Sequence, residues 1–214
     1  EYSVSGLSGA VFEIYADEDI TTPDGTIRYT KDTLVDTITT DEKGTATSKL
    51  LYLGKYRVVE TVAPYGTVIN PEPHTVELTY SGQNEKVTNT STSFTNDRQK
   101  VEIDLTKILE QDEKFNIGNN DEILNVSFGL YADEDLKASN GTVIPKNGLI
   151  EIITCDEKGK SQFTTDIPIG SYYVKEISTD NHYILSDKKY PVVFEYAGQD
   201  TATSELITAD RVYR

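Results

Sequence analysis

The chain contains no methionine, no tryptophan and one cysteine in 214 residues. A single cysteine excludes a disulfide within the chain. Cys155 stands where the first half of the chain has Thr40, with no Cys/His/Asp set around it, so it reads as a tolerated substitution rather than a nucleophile. No apolar run approaches the roughly 18 residues of a membrane-spanning helix, and nothing after Glu1 reads as a signal peptide. Basic residues are few, 20 Lys and Arg against 36 Asp and Glu, giving a net charge of -16. That charge repels phosphate backbones, so nucleic acid is not an expected partner. There is no Gly-rich phosphate loop. The two histidines, His74 and His182, have no Ser or Cys partner at a strand-end turn and read as surface residues. No cofactor or metal is expected.

What the chain does have is an internal repeat. Tyr-Ala-Asp-Glu-Asp occurs at 15–19 and 131–135, and Asp-Glu-Lys-Gly at 41–44 and 156–159. Gly-Lys-Tyr-Arg-Val-Val-Glu at 54–60 answers to Gly-Ser-Tyr-Tyr-Val-Lys-Glu at 170–176, and Tyr-Ser-Gly-Gln at 80–83 to Tyr-Ala-Gly-Gln at 196–199. The offset is 115 or 116 residues throughout, the size of a domain rather than of a solenoid repeat. The polar run Asp97-Arg98-Gln99-Lys100 separates the copies, which sets the domains at 1–98 and 99–214.

Helical spacing is nowhere sustained. Short β-branched and aromatic runs at 10–15, 55–61, 75–80, 101–109, 171–177 and 191–196 are bounded by Gly, Pro, Asn and Asp, the pattern of strands. The expected fold is all-β, one antiparallel β-sandwich per repeat. The two Asp-Glu-Lys-Gly segments read as hairpin turns whose glycine takes a positive φ. The second repeat opens with a strand, 101–109, that has no counterpart before Gly9-Ala10-Val11-Phe12. The first domain is therefore expected to lack its opening strand, as though cut from a longer array.

Alternation along strands isolates the chemically interesting residues. Lys107 shares a face with Val101, Ile103, Leu105 and Leu109. Glu176 shares one with Tyr172 and Val174, Glu60 with Tyr56 and Val58, and Asn96 with Phe94. Ionic groups on core faces are costly unless paired. The acidic triplets Asp17-Glu18-Asp19 and Asp133-Glu134-Asp135 lack the spacing of a calcium loop and read as solvated turns.

The ordered set resembles the B-type repeats of collagen-binding adhesins and the SpaA-type pilin domains of Gram-positive surface proteins. It comprises a strand-borne Lys, a Gly-Ala-x-Phe strand, an Asp-x-x-Gly turn, a Gly-x-Tyr-x-Val-x-Glu strand and a last strand ending Phe-x-Asn. The resemblance covers both halves. It implies a prealbumin-like, Ig-like Greek-key sandwich that serves as a stalk or pilus module, in many members stapled by a spontaneous Lys–Asn isopeptide bond. Burial would favour the neutral, nucleophilic amine, while a protonated carboxyl polarises the amide carbonyl and relays protons as ammonia leaves. In this chain the pattern is incomplete in both halves. Domain one has Glu60 and Asn96 without a lysine, and with the opening strand absent both are expected to be partly exposed. Domain two has Lys107 and Glu176, and aligning Thr95-Asn96-Asp97-Arg98 with Thr208-Ala209-Asp210-Arg211 puts Ala209 at the partner position. Asp210 has the opposite parity and would reach inward only through a bulge. The expectation for Lys107 and Glu176 is a buried salt bridge.

The resemblance implies a structural spacer of a cell-wall-anchored bacterial surface protein, located outside the cell, with neighbouring repeats of the parent protein as partners. The alternative is an adhesin module whose loops or sheet face bind a host extracellular ligand. No constellation for turnover of an external substrate is present, so an enzyme is not expected.

Overall fold

A computed structural model of the chain describes residues 5–137 and 141–212, the side chains of 207–212 excepted. Contacts divide it into two compact units. One is formed by residues 5–98 together with Gly198–Ala202, the other by Gln99–Ala197 with the segment from Thr203 onward.

The first unit contains β1 (Val11–Ala16), β2 (Ile20–Thr21), β3 (Ile27–Tyr29), β4 (Leu34–Thr39), β5 (Gly54–Val62) and β6 (His74–Leu78). Four of these form an antiparallel sheet in the order β4-β1-β5-β6. The alternation read from sequence decides what this sheet buries: Phe12, Ile14 and Ala16 from β1 and Tyr56, Val58 and Glu60 from β5 face inward. Phe94 closes over Phe12, ring centroids 4.7 Å apart, and stacks on His74 at 3.9 Å, so His74 is half-buried rather than a surface residue. Among the described residues no strand precedes β1, and segments 45–50 and 91–97 belong to no strand.

The second unit has two main sheets. It contains β7 (Lys100–Leu109), β8 (Ser127–Ala132), β9 (Leu136–Lys137), β10 (Val143–Ile144), β11 (Leu149–Thr154), β12 (Lys160–Phe163), β13 (Gly170–Ser178), β14 (Lys189–Phe194) and β15 (Thr203–Val212). One sheet runs β11-β8-β13-β14, equivalent to the sheet of the first unit. The other runs β12-β7-β15 with β7 at its centre. Between them lies a core of Ile103, Leu105, Phe128, Leu130, Tyr172, Val174, Val192 and Phe194. Phe128 and Phe12 occupy equivalent core positions. The sandwich is not wholly antiparallel: β15 runs parallel to β7. They are the first and last strands of the unit, so their pairing closes the fold without a hairpin connection.

The Asp-Glu-Lys-Gly segments form the same tight turn in both units. Gly44 (φ 73°) and Gly159 (φ 72°) return their N–H to the carbonyls of Asp41 and Asp156, each at 2.9 Å. Gly159 also faces the backbone of Lys107: its carbonyl accepts the Lys107 N–H at 2.7 Å, and a Cβ there would lie 2.1 Å from the Lys107 carbonyl oxygen. The absence of a side chain at 159 thus allows the close approach that fixes Lys107 along its strand.

Candidate cross-link sites in the two cores

Lys107 is the third inward residue of β7, after Ile103 and Leu105, and is 2% exposed. The neighbours that alternation assigns it make its burial compulsory, since turning the amine outward would expose the apolar face of β7. Its Nζ meets Glu176 Oε1 at 2.9 Å, and neither side chain retains solvent access. Glu176 reaches the same plane from β13. Its second oxygen, Oε2, accepts the backbone N–H of Ser186 at 2.8 Å. The Phe128 ring lies under the amine, 5.6 Å from Nζ to the centroid, and gives the cation an aromatic face. Cys155 is buried in the same core, where desolvation pushes its thiol up to about 11 despite the opposing field of Lys107. That leaves it protonated and inert at neutral pH.

The side chains of Ala209 and Asp210 lie outside the described residues, but their backbone register is fixed. In the parallel ladder Ala209 pairs with Thr106 and Asp210 with Lys107. Leu206, paired with Ile103, packs against the core. The ladder thus sets Asp210, rather than Ala209, beside Lys107.

The first unit carries the matching half-site. Glu60 Oε2 accepts the N–H of Asn70 at 2.6 Å, as Glu176 does that of Ser186. Asn96 Nδ2 donates to both Glu60 oxygens, at 3.0 and 2.8 Å, and to the Val68 carbonyl at 3.0 Å. Glu60 is 2% exposed, contrary to the expectation of partial exposure, whereas Asn96 is half-buried as expected. The chain from Ala63 to Asn70 arches over the carboxylate and supplies the backbone donor that satisfies it.

The acidic triplets serve the backbone. Glu18 accepts the N–H of Lys55 and Asp19 that of Lys31, while Asp17 pairs with Arg57. In the second unit Glu134 accepts the N–H of Ser171 and Asp135 that of Lys146. Sequence reading missed Glu122, which is 4% exposed and accepts N–H bonds from Gly118 and Asn120. Those bonds, led by that of Asn120, hold its carboxyl down to about 2. Its neighbours in sequence are polar, and no periodicity marks it as inward.

A sandwich of this topology, with ionic groups converging on its own core, defines a β-sandwich module. The chain belongs to the SpaA prealbumin-like fold domain family, which matches residues 2–93 and 111–206. In fold it is similar to the TIE protein of Bacillus anthracis, with 21% identity and a TM-score of 0.59 over 97% of this chain and 31% of that one. Weaker likenesses include GBS52, the minor pilin of Streptococcus agalactiae (18% identity, TM-score 0.32, 98% of this chain and 85% of that one). Another is the shaft pilin SpaA of Lactobacillus rhamnosus GG (16%, 0.33, 95% and 88%). No curated protein sequence matches.

Proposed function

We propose that this chain is a pair of structural spacer repeats, 1–98 and 99–214, of a Gram-positive surface or pilus protein, and that the second repeat is stapled by an isopeptide bond from Lys107 to Asp210. The observation that carries this reading is the solvent-free Lys107–Glu176 pair, with Asp210 at the register position of the lysine. In the reaction Lys107 Nζ attacks the Asp210 carboxyl carbon and a C–N bond forms. A C–O bond breaks, and one water leaves. Glu176, at 2.9 Å from the amine, relays two protons to the departing oxygen, first that of the ammonium and then the one the nitrogen sheds after attack. The product is an uncharged amide in place of the Lys107 ammonium and the Asp210 carboxylate. A covalent tie between the first and last strands resists extension along the chain, the property a spacer requires.

Membership of the SpaA prealbumin-like family supports the structural role and the location outside the cell. The described polar groups buried in both units face their own cores or backbones, which speaks against turnover of an external substrate. Intact-mass measurement tests the reading: the chain should be lighter than its sequence by one water. A second role, binding of a host ligand, is favoured only by the exposed aromatic residues Tyr65, Tyr80 and Phe115. Saturable binding of a host matrix protein, lost on Tyr65→Ser or Phe115→Ser, would establish it.

A further inference from the structure

In the first unit the arch that follows β5 does not stand bare. Gln199 sits on it: its Oε1 accepts the Ala63 N–H at 2.8 Å, its Nε2 donates to the Thr61 carbonyl at 3.2 Å, and its own carbonyl accepts the Ile69 N–H at 3.0 Å. One residue thus satisfies three backbone groups at the end of a strand, where no ladder continues. Gly198 presents it, with φ 94° and a turn closed by Thr201 N–H to the Gly198 carbonyl at 3.4 Å. Val68 and Ile69, under this cover, are half-buried.

Both halves of this lock occur again, each unoccupied. The turn at Gly82 has the same build: φ is 112°, and Glu85 N–H donates to the Gly82 carbonyl at 3.1 Å. Gln83 follows the glycine just as Gln199 follows Gly198, but it is exposed, as is Tyr80 beside it at 70%. The arch recurs after β13, set by the same carboxylate-to-backbone bond from Glu176 to Ser186. At the repeat offset of 116, Ile177, Thr179 and Leu185 answer to Thr61, Ala63 and Ile69. There Ile184 is 73% and Leu185 49% exposed, and the Thr179 hydroxyl is buried with no hydrogen-bond partner.

We propose that the 177–185 arch is a docking site for the Gly-Gln turn of a further copy of this repeat, here the Gly82–Gln83 turn of a second copy of the chain. Gln83 would bridge the Thr179 N–H and the Ile177 carbonyl, and the turn would cover Ile184 and Leu185. The occupant follows from the filled arch in the same molecule, which holds a turn of the same geometry and the same residue pair. Such a contact joins two different surfaces, so it propagates from copy to copy instead of closing into a dimer. It is small, and becomes strong only between tethered neighbours at high effective concentration.

Disulfide trapping reads so weak a contact. Asn84→Cys and Leu185→Cys are exposed substitutions that keep Gln83, and the native Cys155, 4% exposed, does not compete. Mixed under mild oxidation, these two variants should form a mixed dimer about tenfold faster than Asn84→Cys mixed with Glu157→Cys, the local concentration at a docked site exceeding that in bulk. Adding Gly82→Val, which the positive φ of the turn disfavours, should return the rate to the control. Equal rates for the two pairs, or a rate indifferent to Gly82→Val, would overturn the proposal and leave the Lys107–Asp210 bond untouched, since intact mass reports that bond separately.

Discussion

Asp210→Ala isolates the contribution of the proposed staple. The substitution removes the carboxyl that Lys107 would attack and leaves the Lys107–Glu176 pair, at 2.9 Å, intact. The bond joins positions 107 and 210, so it closes a loop of about 100 residues. If the loop-entropy relation for disulfides carries over, the bond stabilises by about 4–5 kcal/mol. For a domain of this size each kcal/mol moves the melting temperature by roughly 4–8 °C, so the second domain of Asp210→Ala should melt roughly 15–40 °C below the parent. Its mass should equal that of its sequence, while the parent is one water lighter. Lys107→Ala should fall further, because it also strands the Glu176 carboxylate in the core at a cost of about 3–5 kcal/mol. Ala209→Asn should still lose one water and no ammonia, because residue 209 stands at the register of Thr106. A parent chain of full mass, or an ammonia lost from Ala209→Asn, would refute this register and with it the staple.

Glu176→Gln should fold yet form the bond at least tenfold more slowly, as expected when a general acid–base is lost, which time-resolved intact mass after refolding measures. In the first unit Glu60→Gln should lower stability by about 1–3 kcal/mol in a denaturant titration, since the Asn70 N–H and the Asn96 amide lose a charged acceptor. Cys155 binds its proton more tightly folded, with a pKa of about 11, than its ordinary value of 9.0, so above pH 9 the unfolded state sheds a proton that the folded state keeps. Stability should therefore fall as pH rises from 9 toward 11. Cys155→Thr, the residue of the other repeat, should flatten that slope in melts followed by circular dichroism. Gly159→Ala should both destabilise the second domain and slow bond formation, because the added Cβ would meet the Lys107 carbonyl at 2.1 Å.

Sequence alone determined the parts of this protein that depend on local pattern. The duplicated landmarks fixed two repeats. Alternation placed Phe12, Tyr56, Phe128 and Tyr172 inside, and it put Lys107 and Glu176 on core faces, because side-chain period is a property of the strand itself. Tertiary structure decided what depends on which strands become neighbours. The ladder neighbour of Lys107 was set by the parallel register of β15 on β7, which pairs it with Asp210. The burial of Glu60 came from an arch ten residues further along the chain, the position of Asn70, and that of Glu122 from the turn at Gly118–Asn120. Hydrogen bonds of that kind carry no periodic signature. The pairing of Gln199 with Ala63 spans 136 residues of sequence, and only a folded chain brings those backbone groups within 2.8 Å.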